Sequence, residues 1–432
     1  MMTMKLVTFC IVSLFTGTKS TTVFLIGNDP NVVFSGRTHS FSSETVSFDN
    51  PGVSFTFTVE NTTNVTAFLS QKGVLAAGVN PRYNIIDHIN DVADEITVST
   101  DEFTLPFPNF FEVYVDGVWQ PNMDDANLKH SFGTWNSDSW LNGNVVPVTV
   151  ALGMSPISSH TVTVFKSTEA QWNSLDPQPN YMTLHGIQLN GDSIPAVVET
   201  SKSKFGESVR GEGGEAARKL EFLGDSLTCG YCNICHEQPA YPDGAVAESF
   251  AESWPSAVAS MTSAEFHAVA WSGYGLTHNC CGGSTLMPEI YTRALASVFD
   301  GSADWDFRSW VPDAVVVNLG TNDVNSGDYD ATEFTTACVN LATNVTARYG
   351  EATAIFLACG PVSSGYCAAV TDCLGELSAS AGSTGFPSTS FFLDQTDLGV
   401  ELDCCWHPTS ADDALMAKMA AEFISKSMGW AQ

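Results

Sequence analysis

The hydrophobic rhythm of the chain changes once, near residue 200, and that change limits the possible architecture more than any composition figure. Over residues 21–200 apolar side chains recur at every second position. Val53, Phe55, Phe57 and Val59 alternate with Ser54, Thr56 and Thr58, which gives a strand one apolar and one polar face. Phe111, Val113 and Val115 repeat the pattern and run into Asp116-Gly117, a tight-hairpin signal. Further strand-like runs lie at 145–151, 161–166 and 183–189, and no segment of this half carries a convincing helical stripe. An all-β jelly-roll sandwich domain is the expectation for 21–200.

Residues 201–217 are rich in Gly, Ser, Glu and Lys and read as a linker. Beyond them, in 218–432, strand alternates with helix. Short apolar runs lie at 220–223, 266–270, 314–319, 353–358 and 391–394, and helical stripes separate them. Phe334, Cys338, Leu341, Val345 and Tyr349, at spacings of three and four, form one such stripe. Five strands joined through helices predict a five-stranded parallel sheet covered on both faces, an α/β/α domain. The last helix is expected to begin near Ser410, with Asp413 three residues on as in a capping arrangement and Leu415, Met416, Met419 and Phe423 on its buried face.

Residues 1–20 carry Lys5, an apolar run over 6–15 and small residues at Thr18 and Ser20, the three parts of a secretory signal peptide. That run is too short to span a bilayer, and no later stretch is long and apolar enough, so a secreted chain without a membrane partner is expected. Lys plus Arg number 17 against 48 Asp plus Glu, for a formal charge of −31. Such a surface repels polyanions and argues against a nucleic-acid partner. Of twelve cysteines, Cys10 lies in the leader and the other eleven fall between Cys229 and Cys405. In an exported chain these imply disulfides confined to the second half, with at least one thiol left over. Cys229, Cys232, Cys235 and His236 also carry spacings compatible with haem attachment or zinc, but no second ligand set exists elsewhere, and no metal or cofactor is expected. Sequons at Asn61, Asn64 and Asn344 agree with export.

The chemistry is written in four short blocks, each at or just beyond the end of a strand-like run. Gly224-Asp225-Ser226-Leu227 follows the first run. Trp271-Ser272-Gly273-Tyr274, Gly320-Thr321-Asn322-Asp323 and Trp406-His407-Pro408 follow in order. In a parallel sheet reactive groups gather at the carboxyl ends of strands, so all four blocks can share one rim. A serine hydroxyl there needs an imidazole to take its proton, which pairs Ser226 with His407. An oxyanion needs fixed donors, which the backbone N–H groups of Ser226 and Gly273 and the amide of Asn322 can supply. Asp225 is read as a brace for the turn and Asp323 as a cap on the following loop. Trp271, Tyr274 and Trp406 are candidate stacking surfaces for substrate.

These four blocks resemble the SGNH (GDSL-type) hydrolases, in which the serine, glycine, asparagine and histidine occur in this order at positions matched by Ser226, Gly273, Asn322 and His407. The resemblance implies the flavodoxin-like fold of that group. A narrower resemblance, to carbohydrate esterase family 2, is carried by Phe34-Ser35-Gly36-Arg37, Val115-Asp116-Gly117, the 160–166 run and the stretch from Trp305-Asp306-Phe307 to Trp310-Val311-Pro312-Asp313. It implies a secreted, monomeric serine esterase acting on an acetylated polysaccharide or oligosaccharide. A GDSL-type carboxylesterase or lipase and a carbohydrate-binding protein with little turnover are the alternatives. One position departs from the SGNH pattern. Where an aspartate is usual three residues before the histidine, this chain has Cys404, and Asp403 lies four before. Some members of family 2 are thought to orient the histidine with a backbone carbonyl, and that arrangement is expected here, with Asp403 as the alternative.

Overall fold

The structure, a computed structural model, describes residues 21–72, 109–122, 125, 127–134, 140, 143–170, 179–191, 196–198, 217–237, 239, 244–400, 402 and 404–430. The expected leader at 1–20 and all but the last residue of the expected linker lie outside the described residues.

The period-two half forms two antiparallel sheets. In one, Thr21–Ile26, Met182–Gly191, Asn64–Gln71 and Val146–Ala151 lie side by side in that order, and Val46–Phe48 pairs with Met182–Gly191. In the other the order is Ala196–Val198, Ser54–Glu60, His160–Lys166, Phe110–Val115, Val118–Gln120, with Val33–Ser35 and Phe132–Gly133 attached at the sides. Phe55, Phe57, Val59, Val113 and Val162 of the second sheet share one core with Ala67, Leu69, Leu184 and Ile187 of the first, so the two sheets face each other as layers. Asp116 and Gly117 take φ of 52° and 77°, the left-handed pair that a two-residue hairpin between right-twisted strands requires.

The second half builds a sheet of order Ala264–Ala270, Arg218–Gly224, Ala314–Asn318, Ala354–Cys359, Ser390–Asp394, parallel throughout. Alternate side chains of its strands enter two cores. Leu223, Val315 and Val317 pack under the helices Ala331–Tyr349 and Cys367–Ser380. Leu220, Phe222 and Val316 pack under Trp254–Thr262 and Ser410–Met428. The Phe334 to Tyr349 stripe is buried throughout.

One expectation is corrected at the level of single residues. The last helix is capped by Thr409 and Asp412, each side chain bonding the other's backbone N–H, and not by Ser410 and Asp413. The stripe shifts with it: Met416, Ala420 and Ile424 are buried, whereas Leu415 is 49% exposed. Asp413 is buried too and accepts from Asn233 Nδ2 at 2.9 Å. A separate observation concerns the polar face of Ser54–Glu60. It is not turned to solvent: Ser54 and Thr56 are 1% and 0% exposed, and Thr56 bonds Thr163 across the strands at 3.0 Å.

That face is buried because the seven-stranded sheet lies against the second half, where Tyr114 and Phe165 join the core of Phe222, Phe250 and Trp254. The seam between the halves is polar as well as apolar. Asp49 accepts from the N–H groups of Ala296 and Ser297, both at 2.8 Å. Glu112 Oε1 accepts from Ser167 and Ser249 at 2.7 and 2.8 Å. Arg37, fully buried, donates through Nε and Nη2 to Glu221 Oε1 at 3.2 and 2.8 Å and through Nη1 to the carbonyls of Tyr291 and Arg293. Glu221 Oε2 accepts from the hydroxyls of Tyr291 and Tyr349 at 2.8 and 2.9 Å. Burial alone works against the guanidinium charge, but Glu221, Tyr349 and Tyr291 together hold its pKa above the usual value.

Removing one member of such a pair strands the other without solvent or partner. Arg37→Ala is therefore expected to lower the unfolding free energy by about 3–5 kcal/mol, read from the urea midpoint at constant slope. A loss under about 1 kcal/mol would show that the pair does not hold the halves together.

Candidate active site

Three neighbouring strands of the parallel sheet deliver three of the four blocks. The central strand Arg218–Gly224 ends in the Asp225-Ser226 turn, Ala264–Ala270 leads to Gly273, and Ala314–Asn318 leads to Asn322 in the short helix Thr321–Asn325. His407 sits on the loop before the helix Ser410–Met428. The turn after the central strand is tight, and a Cβ at Gly224 would run into Thr228 Oγ1. Asp225 caps the four-residue helix Ser226–Cys229 by accepting from Leu227 N–H at 3.0 Å, which is the bracing expected of it.

Ser226 Oγ lies 2.7 Å from His407 Nε2, and His407 Nδ1 lies 2.6 Å from the carbonyl oxygen of Cys405. These two contacts fix the proton. A carbonyl oxygen can only accept, so Nδ1 carries the hydrogen and Nε2 presents its lone pair to the serine hydroxyl. Asp403 lies outside the described residues. Burial lowers the His407 pKa below the usual imidazole value, and the bond to the Cys405 carbonyl offsets part of that effect.

The loop that aims this carbonyl is unusual in its backbone. Cys405 and Trp406 both have positive φ, 52° and 60°, at a cost on the order of 1–3 kcal/mol each. The disulfide Cys232–Cys405 ties the loop to the segment just after the nucleophile's helix. Asn233 O accepts from Ser410 N–H at 2.8 Å and braces the same segment against the start of the last helix. Tyr231 packs edge-on against the His407 ring with centroids 5.2 Å apart. Cys235 is disulfide-bonded as well, and Cys280–Cys281, Cys338–Cys373 and Cys359–Cys367 are further bridges. The thiol left over is Cys229, which is buried.

Of the oxyanion candidates, Gly273 has φ of 81°, a conformation that favours glycine, and its carbonyl accepts from Cys280 N–H at 3.0 Å. Among the described residues neither Ser226 N–H nor Gly273 N–H donates to another protein group. Asn322 differs. Its Nδ2 donates to Asp225 Oδ2 at 3.1 Å and to Tyr274 O at 2.8 Å, so both amide hydrogens have acceptors. Burial, opposed by the bond from Leu227 N–H and reinforced by Asp323, pushes the Asp225 pKa up to about 7. Asp323 holds a different loop from the one expected. Its carboxylate accepts from the N–H groups of Leu276, Thr277 and His278 at 3.0, 2.6 and 2.9 Å, which lie well before it in sequence.

Two of the three candidate stacking residues are corrected. Trp271 and Tyr274 are 1% and 5% exposed, and their rings stack on each other in the core, so neither has a face to offer. Trp406, 70% exposed beside His407, is the aromatic ring that faces outward here. The backbone carbonyl expected behind His407 is that of Cys405, a residue no side-chain signal could single out. Sequence reasoning missed two participants. Tyr231 sits among cysteines that drew attention to bonding rather than packing. Glu169, from the other half of the chain, accepts from Ser272 N–H at 2.5 Å.

Residues 220–419 match the sequence model of the GDSL-like Lipase/Acylhydrolase family. The chain is 34% identical over 220 residues to the cellulase/esterase CelE of Acetivibrio thermocellus, a match covering 49% of this chain and 26% of that protein. It is 26% identical over 219 residues to the acetylxylan esterase / glucomannan deacetylase of Cellvibrio japonicus, covering 49% and 58%. The match thus spans 26% and 58% of the length of these curated relatives. Two solved structures are similar over nearly the whole chain. A family two carbohydrate esterase from Cellvibrio japonicus has a TM-score of 0.69 at 20% identity, covering 95% of this chain and 99% of that one. A family two carbohydrate esterase from Clostridium thermocellum in complex with cellohexaose has a TM-score of 0.67 at 22% identity, covering 93% and 100%. At those identities the likeness is one of fold, and the membership is carried by the sequence match: the segment holding Ser226, Gly273, Asn322 and His407 is a domain of the GDSL-like lipase/acylhydrolase family.

Proposed function

We propose that the chain is a secreted serine esterase that removes O-acetyl groups from polysaccharide through a Ser226–His407 dyad. The observation that carries this reading is the pair of short contacts at His407, with Ser226 Oγ on Nε2 and the Cys405 carbonyl on Nδ1. In the first step Oγ attacks the acetyl carbonyl while its proton passes to Nε2. The oxyanion is met by the N–H groups of Ser226 and Gly273, joined by Asn322 Nδ2 when it gives up one of its present acceptors. The imidazolium then protonates the departing sugar oxygen as its bond to the acetyl carbon breaks, which releases the sugar hydroxyl. A water, deprotonated by the same Nε2, hydrolyses the acetyl-serine. The Cys405 carbonyl holds the tautomer throughout, as a triad carboxylate otherwise would.

A polysaccharide ester is supported by the esterase and deacetylase names of the two curated relatives and by the cellohexaose bound in one structural neighbour. Trp406, exposed beside the dyad, gives such a substrate a ring to lie on. Secretion is supported by the leader-like first residues and by a domain whose cysteines are nearly all bridged. The two-sheet half in front is read as a jelly roll, on strand number and antiparallel pairing.

Ser226→Ala is expected to abolish release of acetate from acetylated xylan or glucomannan, with circular dichroism unchanged. A variant that kept more than roughly a tenth of the wild-type kcat would sink the assignment. Asn322→Ala is expected to cost about 10²–10³ in kcat at nearly constant KM, and a change confined to KM would make Asn322 a binding residue instead.

The pH profile discriminates between the two ways of orienting His407. The neutral imidazole is the competent form, and burial disfavours the charged form, so activity persists to lower pH than an ordinary histidine would allow. The acid limb of kcat/KM is expected to have its midpoint below about 6.5. A carboxylate at Nδ1 would act in the opposite direction, and a midpoint at or above about 7 would overturn the carbonyl-backed dyad.

A further inference from the structure

The first half of the chain reaches the catalytic rim through the segment that follows one of its strands. After the strand His160–Lys166 the chain leaves its sheet as Ser167, Thr168, Glu169 and Ala170, a tongue buried along its whole length. Lys166 folds the tongue by donating its ammonium to the carbonyls of Thr168 and Glu169, the second at 2.8 Å. The carbonyl of Ser167 accepts from Phe250 N–H at 2.8 Å, and Ala170 packs in the core under Trp271 and Tyr274. At the tip, Glu169 N–H donates to Glu248 Oε1 at 2.6 Å. Glu169 Oε2 accepts from Ser272 N–H at 2.5 Å and from the Cys229 thiol at 3.0 Å.

Those last two partners are the neighbours of the reacting groups. Ser272 directly precedes Gly273, and Cys229 ends the helix whose first residue is Ser226. One carboxylate oxygen therefore ties the nucleophile's helix to the Gly273 turn. Because peptide units are planar, holding the N–H of Ser272 fixes the plane before it and leaves only the two torsions of Ser272 between that plane and Gly273 N–H. The far side of the turn is held by Cys280 N–H on the Gly273 carbonyl. A donor for an oxyanion contributes to rate only when it is aimed before charge develops, and displacement by a fraction of an ångström weakens it.

We infer that Glu169 is a positioning residue for the esterase reaction proposed above: the first half of the chain supplies the carboxylate that sets Gly273 N–H in register with Ser226. The inference rests on that reading of function. Glu169→Asp withdraws the carboxylate by one methylene, and Glu169→Ala removes it. Glu169→Gln keeps one oxygen that can take the place of Oε2 and accept from both Ser272 N–H and the Cys229 thiol.

The test uses the full chain and two readouts, steady-state hydrolysis of 4-nitrophenyl acetate and the rate at which an alkyl fluorophosphonate labels Ser226. The second reaction needs the oxyanion donors but no particular acyl group. Glu169→Asp and Glu169→Ala are expected to lower kcat and the labelling rate in parallel, by about 10- to 100-fold, with KM within about twofold. Glu169→Gln is expected to stay within about fivefold of wild type in both. Melting temperatures, with assays run well below them, separate this from loss of folded protein. Should Glu169→Ala fail to fold, the aspartate and glutamine variants decide. A folded Glu169→Asp with kcat within about threefold of wild type, an equal loss in Glu169→Gln, or a loss residing in KM would each overturn the positioning role. Wild type that labels but hydrolyses no ester would defeat the esterase reading while the labelling ratios still judge Glu169. Wild type that does neither would defeat both.

Discussion

The buried ion pair between Arg37 and Glu221 is the constraint on which the arrangement of the molecule depends. Glu221 lies at the middle of the strand Arg218–Gly224, five residues before Ser226, and it has no access to solvent. A carboxylate in that position is tolerable only if all its lone pairs are met. Tyr291 and Tyr349 meet one oxygen from within the same half, and Arg37 meets the other from across the seam. This strand of the parallel sheet is therefore electrostatically complete only when the first half of the chain is docked on it.

Docking has a second effect, on surfaces rather than charges. The outer face of the seven-stranded sheet carries Ser54, Thr56 and Thr163, which would suit water, yet these residues are enclosed. Thr56 and Thr163 satisfy each other across the strands, whereas the Ser54 hydroxyl is buried there without a hydrogen-bond partner. The polar stripe of this strand thus marks an interface. Together with Asp49 and Glu112, it makes the two halves one cooperative body rather than beads on a string.

What the sequence made legible and what it hid divide along the range of the interactions. The five strands of the parallel sheet were readable within a residue or two because a strand buried on both faces is a continuous apolar run, a property of neighbours in sequence. The Ser226, Gly273, Asn322 and His407 blocks were readable for a related reason: each is a short turn whose residue types carry the chemistry locally. The last helix shows how fine the limit is. Thr409 with Asp412 and Ser410 with Asp413 are equally good capping pairs on paper, and only packing of Met416 in place of Leu415 selects between them. Trp271 and Tyr274 were misjudged because burial is decided by what stands opposite. Arg37 with Glu221, and Glu169 with Ser272, are bonds between residues 184 and 103 positions apart, with no local pattern to announce them.

The bridge between Cys232 and Cys405 gives the dyad a history. The carbonyl that selects the reactive tautomer belongs to one of the bridged cysteines, and the other follows the nucleophile by six residues. Until that bond forms, the two consecutive left-handed residues Cys405 and Trp406 lack this tie to the segment behind Ser226. Oxidation of these two thiols therefore adds a covalent tether to the geometry in which Ser226 meets His407.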